Sequence, residues 1–303
     1  MKVIIAGGTG MIGKALSLAL LQDQHRVSIL SRRPEKQRTN FPKAIHLIKW
    51  DPSREGWQHH VAGADAIINL AGTGIASGRW TSSRKRSILQ SRLAATSAMV
   101  HAIQASSKKP GCYIQASAVG YYGPRGQEPV TEQSSPGEDY LANVTKEWEI
   151  ASQPLEDAGV RRILLRTGIV LSAEGGALPR LAIPFRLFAG GPIGGGQQYM
   201  PWIHLKDEVR AIVHLLRQPT SSGVYNLTAP EPVTNRVFAA ALGHALRRPS
   251  WLPIPSWLLR VVLGEMADTL LHGQRAMPTR LLSEEFQFTF PDLPAALEAI
   301  YTS

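Results

Sequence analysis

The chain has 303 residues, 44% hydrophobic and 18% charged, the composition of an ordinary globular protein with a sizeable core. A lone cysteine, Cys112, excludes an internal disulfide and any all-cysteine metal site, and suits a buried thiol in a reducing, cytoplasmic setting. The net charge of +10 fits three readings: solvated surface, attraction of a phosphorylated ligand, or a nucleic-acid footprint.

The first element is Val3-Ile4-Ile5-Ala6-Gly7-Gly8-Thr9-Gly10-Met11-Ile12-Gly13, a buried strand, a glycine turn and a helix start that continues through Lys14-Ala15-Leu16. Gly7, Gly10 and Gly13 fall three apart. One allows the tight turn, one lets backbone approach a pyrophosphate, and one packs the helix on its strand. The exposed amides and the positive end of the helix dipole then hold the anion. A core strand at the start leaves no room for a signal peptide, so none is expected.

Further strands are expected at Arg26–Ser31, Ile45–Lys49, Ala66–Ala71, Cys112–Ala116 and Arg162–Arg166, with amphipathic helices such as Lys14–Leu21 and Arg92–Ala105 between them. Continuous apolar strands alternating with helices imply an α/β, Rossmann-like, doubly wound parallel sheet. The second strand ends in Ser31-Arg32-Arg33, where a cofactor with a free ribose 2′-hydroxyl usually meets an acid. A hydroxyl and two guanidiniums suit a 2′-phosphate, hence NADP(H); mere surface charge is the alternative. Trp50-Asp51 ends the third strand, and Asp51 fits either the adenine amino group or a turn before Pro52. Leu70-Ala71-Gly72 ends the fourth, where small residues let backbone lie close to a cofactor.

The densest basic run, Arg79 to Arg92, lacks the interleaved aromatics of a single-strand-binding surface, so no nucleic acid is expected. No uninterrupted apolar run approaches the ~18–20 residues of a membrane span. The longest candidate, Trp257 to Leu263, is broken by Arg260 and is expected either to pack on the larger domain or to face a partner. No His/Cys cluster has metal-ligand spacing.

Gly-Gly-Thr-Gly-Met-Ile-Gly and Asn69-Leu70-Ala71-Gly72 resemble the extended short-chain dehydrogenase/reductase superfamily of NAD(P)-dependent epimerases and dehydratases. Other segments narrow this: Gly78-Arg79-Trp80-Thr81, Ser91-Arg92, Ser117-Ala118-Val119-Gly120-Tyr121-Tyr122-Gly123, Leu165-Arg166-Thr167-Gly168, Pro201-Trp202-Ile203-His204, Leu242-Gly243-His244-Ala245 and Gly273-Gln274-Arg275-Ala276-Met277-Pro278. With them the whole chain resembles the bacterial YfcH-like group of atypical short-chain dehydrogenases, which carries a C-terminal domain of unknown function. The resemblance implies an NADPH-binding, oxidoreductase- or epimerase-like protein acting on an unidentified small molecule. Some plant and cyanobacterial relatives carry cell-division labels, which keeps open a catalytically inactive, nucleotide-sensing role.

In the superfamily a tyrosine acts as acid/base, a lysine four residues on lowers its pKa, and a serine or threonine from the preceding strand end polarises the reacting group. None of the seven tyrosines here has a lysine at the fourth residue. Matching Glu149 to the acid beyond that lysine puts Thr145 at the lysine position and Leu141 at the tyrosine position. Ser117, with Tyr121 and Tyr122 in the loop beyond it, is left for three roles: a rearranged acid/base group, ligand binding without proton transfer, or plain packing. His204 fits a ligand contact or a structural hydrogen bond, and Asp207 a helix cap.

Residues 1–171, completed by 200–230, are read as the NADP-binding domain. Residues 172–199 and 231–303 are read as a smaller, mostly helical substrate domain. Its glycine-rich stretch, Gly175-Gly176 to Gly194-Gly195-Gly196, brackets an apolar helix and suits either a lid or surface loops. Arg180 and Arg186 within it fit a phosphate or carboxylate on a substrate.

Overall fold

A computed structural model of the chain describes residues 1–302. Seven strands form one parallel sheet: β1 (Lys2–Ala6), β2 (Arg26–Ser31), β3 (His46–Lys49), β4 (Ala66–Asn69), β5 (Cys112–Ala118), β6 (Arg161–Thr167) and β7 (Gly223–Leu227). Their order is β7-β6-β5-β4-β1-β2-β3, so the winding reverses between β1 and β4. A crevice for ligands opens at the carboxyl ends of strands at such a reversal.

The period-2 alternation of β1 explains why its run is uninterruptedly apolar. Val3 and Ile5 face one core with Leu16 and Leu20 of helix α1 (Met11–Gln22), while Ile4 and Ala6 face the other with Met99 and Ile103 of helix α2 (Ser82–Gln104). Cys112 is buried between β4 and β6, and burial pushes its thiol up to about 11.

Several boundaries differ from the sequence expectation for physical reasons. β4 stops at Asn69: the Leu70 amide still donates to the Ala6 carbonyl at 2.9 Å, but β1 then turns at Gly7, against which Leu70 and Ala71 lie. β5 reaches Ala118 by pairing with Thr167 of β6, which places Ser117 inside the strand and not after it. α2 starts ten residues before the expected Arg92, capped by the Thr81 hydroxyl, which accepts from the Arg84 amide at 3.1 Å. Its polar first turns carried no apolar period.

A second core lies apart from the two faces of the sheet and draws on both parts of the chain. Leu178 and Phe185 of α4 (Leu178–Arg186) meet Trp202, and Phe238 and Leu242 of α6 (Asn235–Leu246) meet Leu293 and Leu297. Between α4 and α6 runs α5 (Leu205–Arg217), packed on α1 in the sheet domain. The apolar stretch Trp257–Leu263 does not pack inward. It forms α7 (Ser256–Leu263), in which Trp257 is 66% and Val261 62% exposed; only its Leu259 and Leu263 side is half-buried among the aliphatic residues.

Gly273–Pro278 ties the C-terminal part of the chain to the sheet. Arg275–Ala276 pairs in parallel with Pro129–Val130, and the carbonyls of Ala276 and Met277 accept from Thr228 Oγ1 (3.1 Å) and Asn226 Nδ2 (2.9 Å) beyond and within β7. Among the described residues no helix is long and apolar enough to cross a membrane.

Candidate functional site

The turn after β1 gives each glycine a steric reason. Gly7 has φ +77°, and a Cβ on it would lie 2.6 Å from the Leu70 carbonyl carbon. A Cβ on Gly13 would lie 2.4 Å from Gly7 O and 2.6 Å from Gly8 Cα, so only glycine lets α1 pack this close. Gly10 is exposed and accepts a Cβ with nothing nearer than Gly7 O at 3.4 Å; its neighbour Thr9 is exposed too. No side chain caps α1, and no acid stands in its first turn, so the amides of Met11, Ile12 and Gly13 are left for an anion. The cradle therefore fits a dinucleotide pyrophosphate by the chemistry of its donors. The chain beyond β6 covers this turn: Gly175 and Gly176 lie against Met11, at 3.5 and 3.2 Å from their Cβ positions.

Arg32 and Arg33 stand exposed at the end of β2 with no carboxylate within 4 Å among the described residues, Asp51 feeling the Arg32 charge only at longer range. The buried Ser31 hydroxyl accepts from the Arg33 amide at 3.3 Å and holds the bend there. Trp50 and Asp51 are placed differently from the expectation. The Trp50 ring is buried edge-on against Trp57, 6.0 Å between centroids, so this residue offers the crevice only backbone. Asp51 takes the turn role: its carboxylate accepts from the Ser53 hydroxyl (2.7 Å) and amide (3.0 Å), and these bonds hold it below the usual carboxylate range. Behind Ala71, the buried Asn69 accepts from the Ala71 amide at 3.1 Å and donates to Tyr113 Oη at 3.0 Å, which fixes the end of β4.

Ser117 is tied into a buried polar network. Its hydroxyl donates to Glu149 Oε1 at 2.6 Å. Glu149, in helix α3 (Tyr140–Ile150), receives Arg166 of β6 in a two-pronged pair, Nε to Oε1 at 2.9 Å and Nη2 to Oε2 at 2.8 Å. Arg166 Nη1 donates to Tyr122 Oη at 3.1 Å, and Tyr122 donates to Asn226 Oδ1 at 2.6 Å. Burial works against the Arg166 charge, but the Glu149 bonds and charge more than reverse this and hold it protonated. Tyr122 is corrected as a candidate for substrate contact: it is fully buried, its hydroxyl is spent, and burial pushes it up to about 12. Tyr121 is half-buried, with its ring 3.3 Å from the Arg166 guanidinium carbon. The arginine was not singled out in the sequence; the available signal was a charge closing the apolar run Ile163-Leu164-Leu165.

On α3, Leu141 lies against Gly120, 3.4 Å from where a Cβ would stand, and Thr145 donates back to the Leu141 carbonyl at 2.8 Å. Leu141, Thr145 and Glu149 thus succeed one another at four-residue steps. Tyr140 points elsewhere, donating to the Lys85 carbonyl at 2.8 Å, and Lys146 is exposed.

Asp207 is not the helix cap. His204 caps α5 through Nδ1, which accepts from the Lys206 amide at 3.0 Å, while the fully buried Asp207 accepts from the amides of Thr289 (2.8 Å) and Phe290 (2.7 Å). Glu208 beside it is buried too. It receives the Thr167 hydroxyl at 2.9 Å, its Oε2 has no partner, and burial pushes its carboxyl up to about 8 from an ordinary 4.5. The native state therefore keeps this proton where the unfolded chain has lost it, and stability falls as pH rises from about 4.5 to 8. Glu208→Gln will flatten that slope, gaining on wild type by a few kcal/mol at pH 8 at ~1.4 kcal/mol per unit. Urea unfolding at pH 5 and pH 8 measures it; equal pH slopes in the two proteins would refute it.

A doubly wound parallel sheet with an uncapped glycine turn at its reversal point is the build of the dinucleotide-binding short-chain dehydrogenase class. The chain belongs to the NAD dependent epimerase/dehydratase family, whose model matches residues 3–228, and residues 254–300 match a domain of unknown function. It is 38% identical to the epimerase family protein YfhF of Bacillus subtilis over 301 residues, covering 99% of this chain and 98% of that one. It is 39% identical to the chloroplastic epimerase family protein SDR39U1 homolog of Arabidopsis thaliana over 302 residues, covering 99% and 86%. The crystal structure of human epimerase family protein SDR39U1 with NADPH is similar over 100% of both chains, with a TM-score of 0.89 and 34% identity.

Proposed function

We propose that the chain binds NADP(H) along the carboxyl ends of β1, β2 and β4 and acts in the cytoplasm as an oxidoreductase- or epimerase-like enzyme on a small molecule. One observation carries this: an uncapped helix start follows β1 while the neighbouring strand β2 ends in the exposed Arg32 and Arg33, with no acid at that strand end where a free 2′-hydroxyl would need one. The NADPH in the human relative supports the same cofactor. When bound, NADP(H) supplies or takes up a hydride at the nicotinamide.

The chain's own residues have separable tasks in this reading. The amides of Met11 and Ile12 hold the pyrophosphate, and Arg32 and Arg33 hold the 2′-phosphate. Ser117 directs its proton to Glu149 and keeps its lone pairs for a substrate hydroxyl. With Glu149 held as a carboxylate by Arg166, Ser117 orients that hydroxyl by accepting its hydrogen bond and takes no proton from it. Tyr121, beside Arg166, offers a second polar group in the loop after β5. Tyr122 and Asn226 only position Arg166.

A thermal-shift comparison tests the cofactor: NADPH should stabilise the protein and NADH should do so much less. Greater stabilisation by NADH would refute the reading. Leu141 and Thr145 at the superfamily's tyrosine and lysine positions favour a second reading, a catalytically silent nucleotide sensor. Steady NADPH oxidation with any carbonyl compound or nucleotide sugar would remove it.

A further inference from the structure

The basic run that opens α2 is not used by the reading above, and its arginines have an unusual environment. Arg92 is half-buried at the carboxyl edge of the sheet. Its guanidinium carbon lies 3.3 Å from the Cβ position of Gly72, at the end of β4, and 4.9 Å from the Trp148 ring centre. One of its nitrogens, Nη1, donates to the carbonyls of Thr73 (3.0 Å) and Ile88 (2.9 Å); its Nε and Nη2 meet no acceptor among the described residues. Two turns back on α2, the half-buried Arg84 donates through Nη2 to the Gly74 carbonyl at 2.7 Å and to Ser77 Oγ, and its buried Nε has no partner. Arg180 of α4 reaches across to the Ala76 carbonyl of the same loop.

Three guanidiniums thus converge on the loop from Gly72 to Ser77, and none of them has a carboxylate within 4 Å among the described residues. Carbonyls satisfy donors but do not neutralise charge. The nearby cation Lys85 is itself matched, to Glu265. Burial without a counter-charge pulls Arg92 down to about 10, against the upward shift of the paired Arg166. Two half-buried guanidiniums, Arg84 and Arg92, with the exposed Arg180 beside them at the ligand edge of a sheet and donors to spare, are completed by an anion from outside the chain. Their planar forks match a carboxylate or a phosphate.

We infer that Arg92, with Arg84, binds an oxyanion group, phosphate or carboxylate, carried by the substrate and not by the cofactor. This names the substrate class of the site proposed above and rests on that reading. Arg92 sits beyond β4, on the β5 side of the cradle, whereas Arg32 and Arg33 stand beyond β2 on its other side. The two cationic groups therefore flank the cradle.

The test is a thermal-shift titration with inorganic pyrophosphate of protein already saturated with NADPH, against potassium chloride at matched ionic strength. Wild type should gain stability from pyrophosphate beyond the chloride control. Arg92→Gln should lose most of that gain while binding NADPH within about threefold of wild type. No gain in NADPH-saturated wild type would overturn the inference, as would competition between pyrophosphate and NADPH or an equal response in Arg92→Gln. If Arg92→Gln does not fold, Arg84→Gln carries the same comparison. The NADPH titration recorded first separates the two failures: if NADPH itself does not bind, the cofactor reading falls, and insensitivity of pyrophosphate binding to Arg92 still decides this one.

Discussion

Glu149→Ala will destabilise the protein by about 3–5 kcal/mol, because it leaves the Arg166 guanidinium buried without its counter-charge. Arg166 and Glu149 side chains are 4% and 9% exposed, so water cannot replace the lost partner. The same substitution frees the Ser117 hydroxyl and removes an anchor of the Tyr122–Asn226 link across β6 and β7. Glu149→Leu combined with Arg166→Met removes both charges at once and should recover much of the loss. Urea unfolding of both variants decides the matter. If Glu149→Ala alone unfolds within about 1 kcal/mol of wild type, the pair does not carry the energy assigned to it.

Gly13→Ala is expected to damage both folding and cofactor binding. Its methyl would meet backbone at 2.4 and 2.6 Å, so the turn after β1 must move, at ~1–3 kcal/mol for overpacking. Moving that turn misplaces the amides of α1, and NADPH affinity should fall by about tenfold or more. Gly10→Ala is the control. Its φ is −78° and its Cβ meets only Gly7 O at 3.4 Å, so stability should hold while affinity drops, the methyl intruding where the pyrophosphate lies. Calorimetric titration with NADPH alongside thermal unfolding separates the two effects. Full affinity in Gly10→Ala would mean that the anion lies elsewhere.

What was legible in the sequence was what local chemistry dictates. The strand–turn–helix at Val3–Gly13 and the parallel sheet followed from apolar runs and glycine spacing, since both are written within a few neighbouring residues. The exposed pair Arg32 and Arg33 was legible for the same reason. The Ser117–Glu149–Arg166 network was not, because its members stand 17 and 32 residues apart on three elements and no period links them. Only the fold makes Arg166 buried, and only burial makes its partner indispensable. Trp50 and Asp51 show the opposite failure. Their place at a strand end was read correctly, but side-chain direction depends on Trp57 and Ser53, which strand position does not encode. For Trp257–Leu263 apolar composition alone left packing on the larger domain and facing a partner both open; the stretch forms an eight-residue helix with an exposed face, from which only Leu259 and Leu263 lean inward.

The central claim is that a phosphorylated dinucleotide lies on the cradle of α1 with its 2′-phosphate against Arg32 and Arg33. Fluorescence titration of wild type and the Arg32→Ala/Arg33→Ala variant with NADPH and NADH tests it most directly. Wild type should prefer NADPH by about tenfold or more, and the double variant should lose that preference by weakening NADPH alone. An unchanged preference in the variant, or tighter binding of NADH by wild type, would contradict the account.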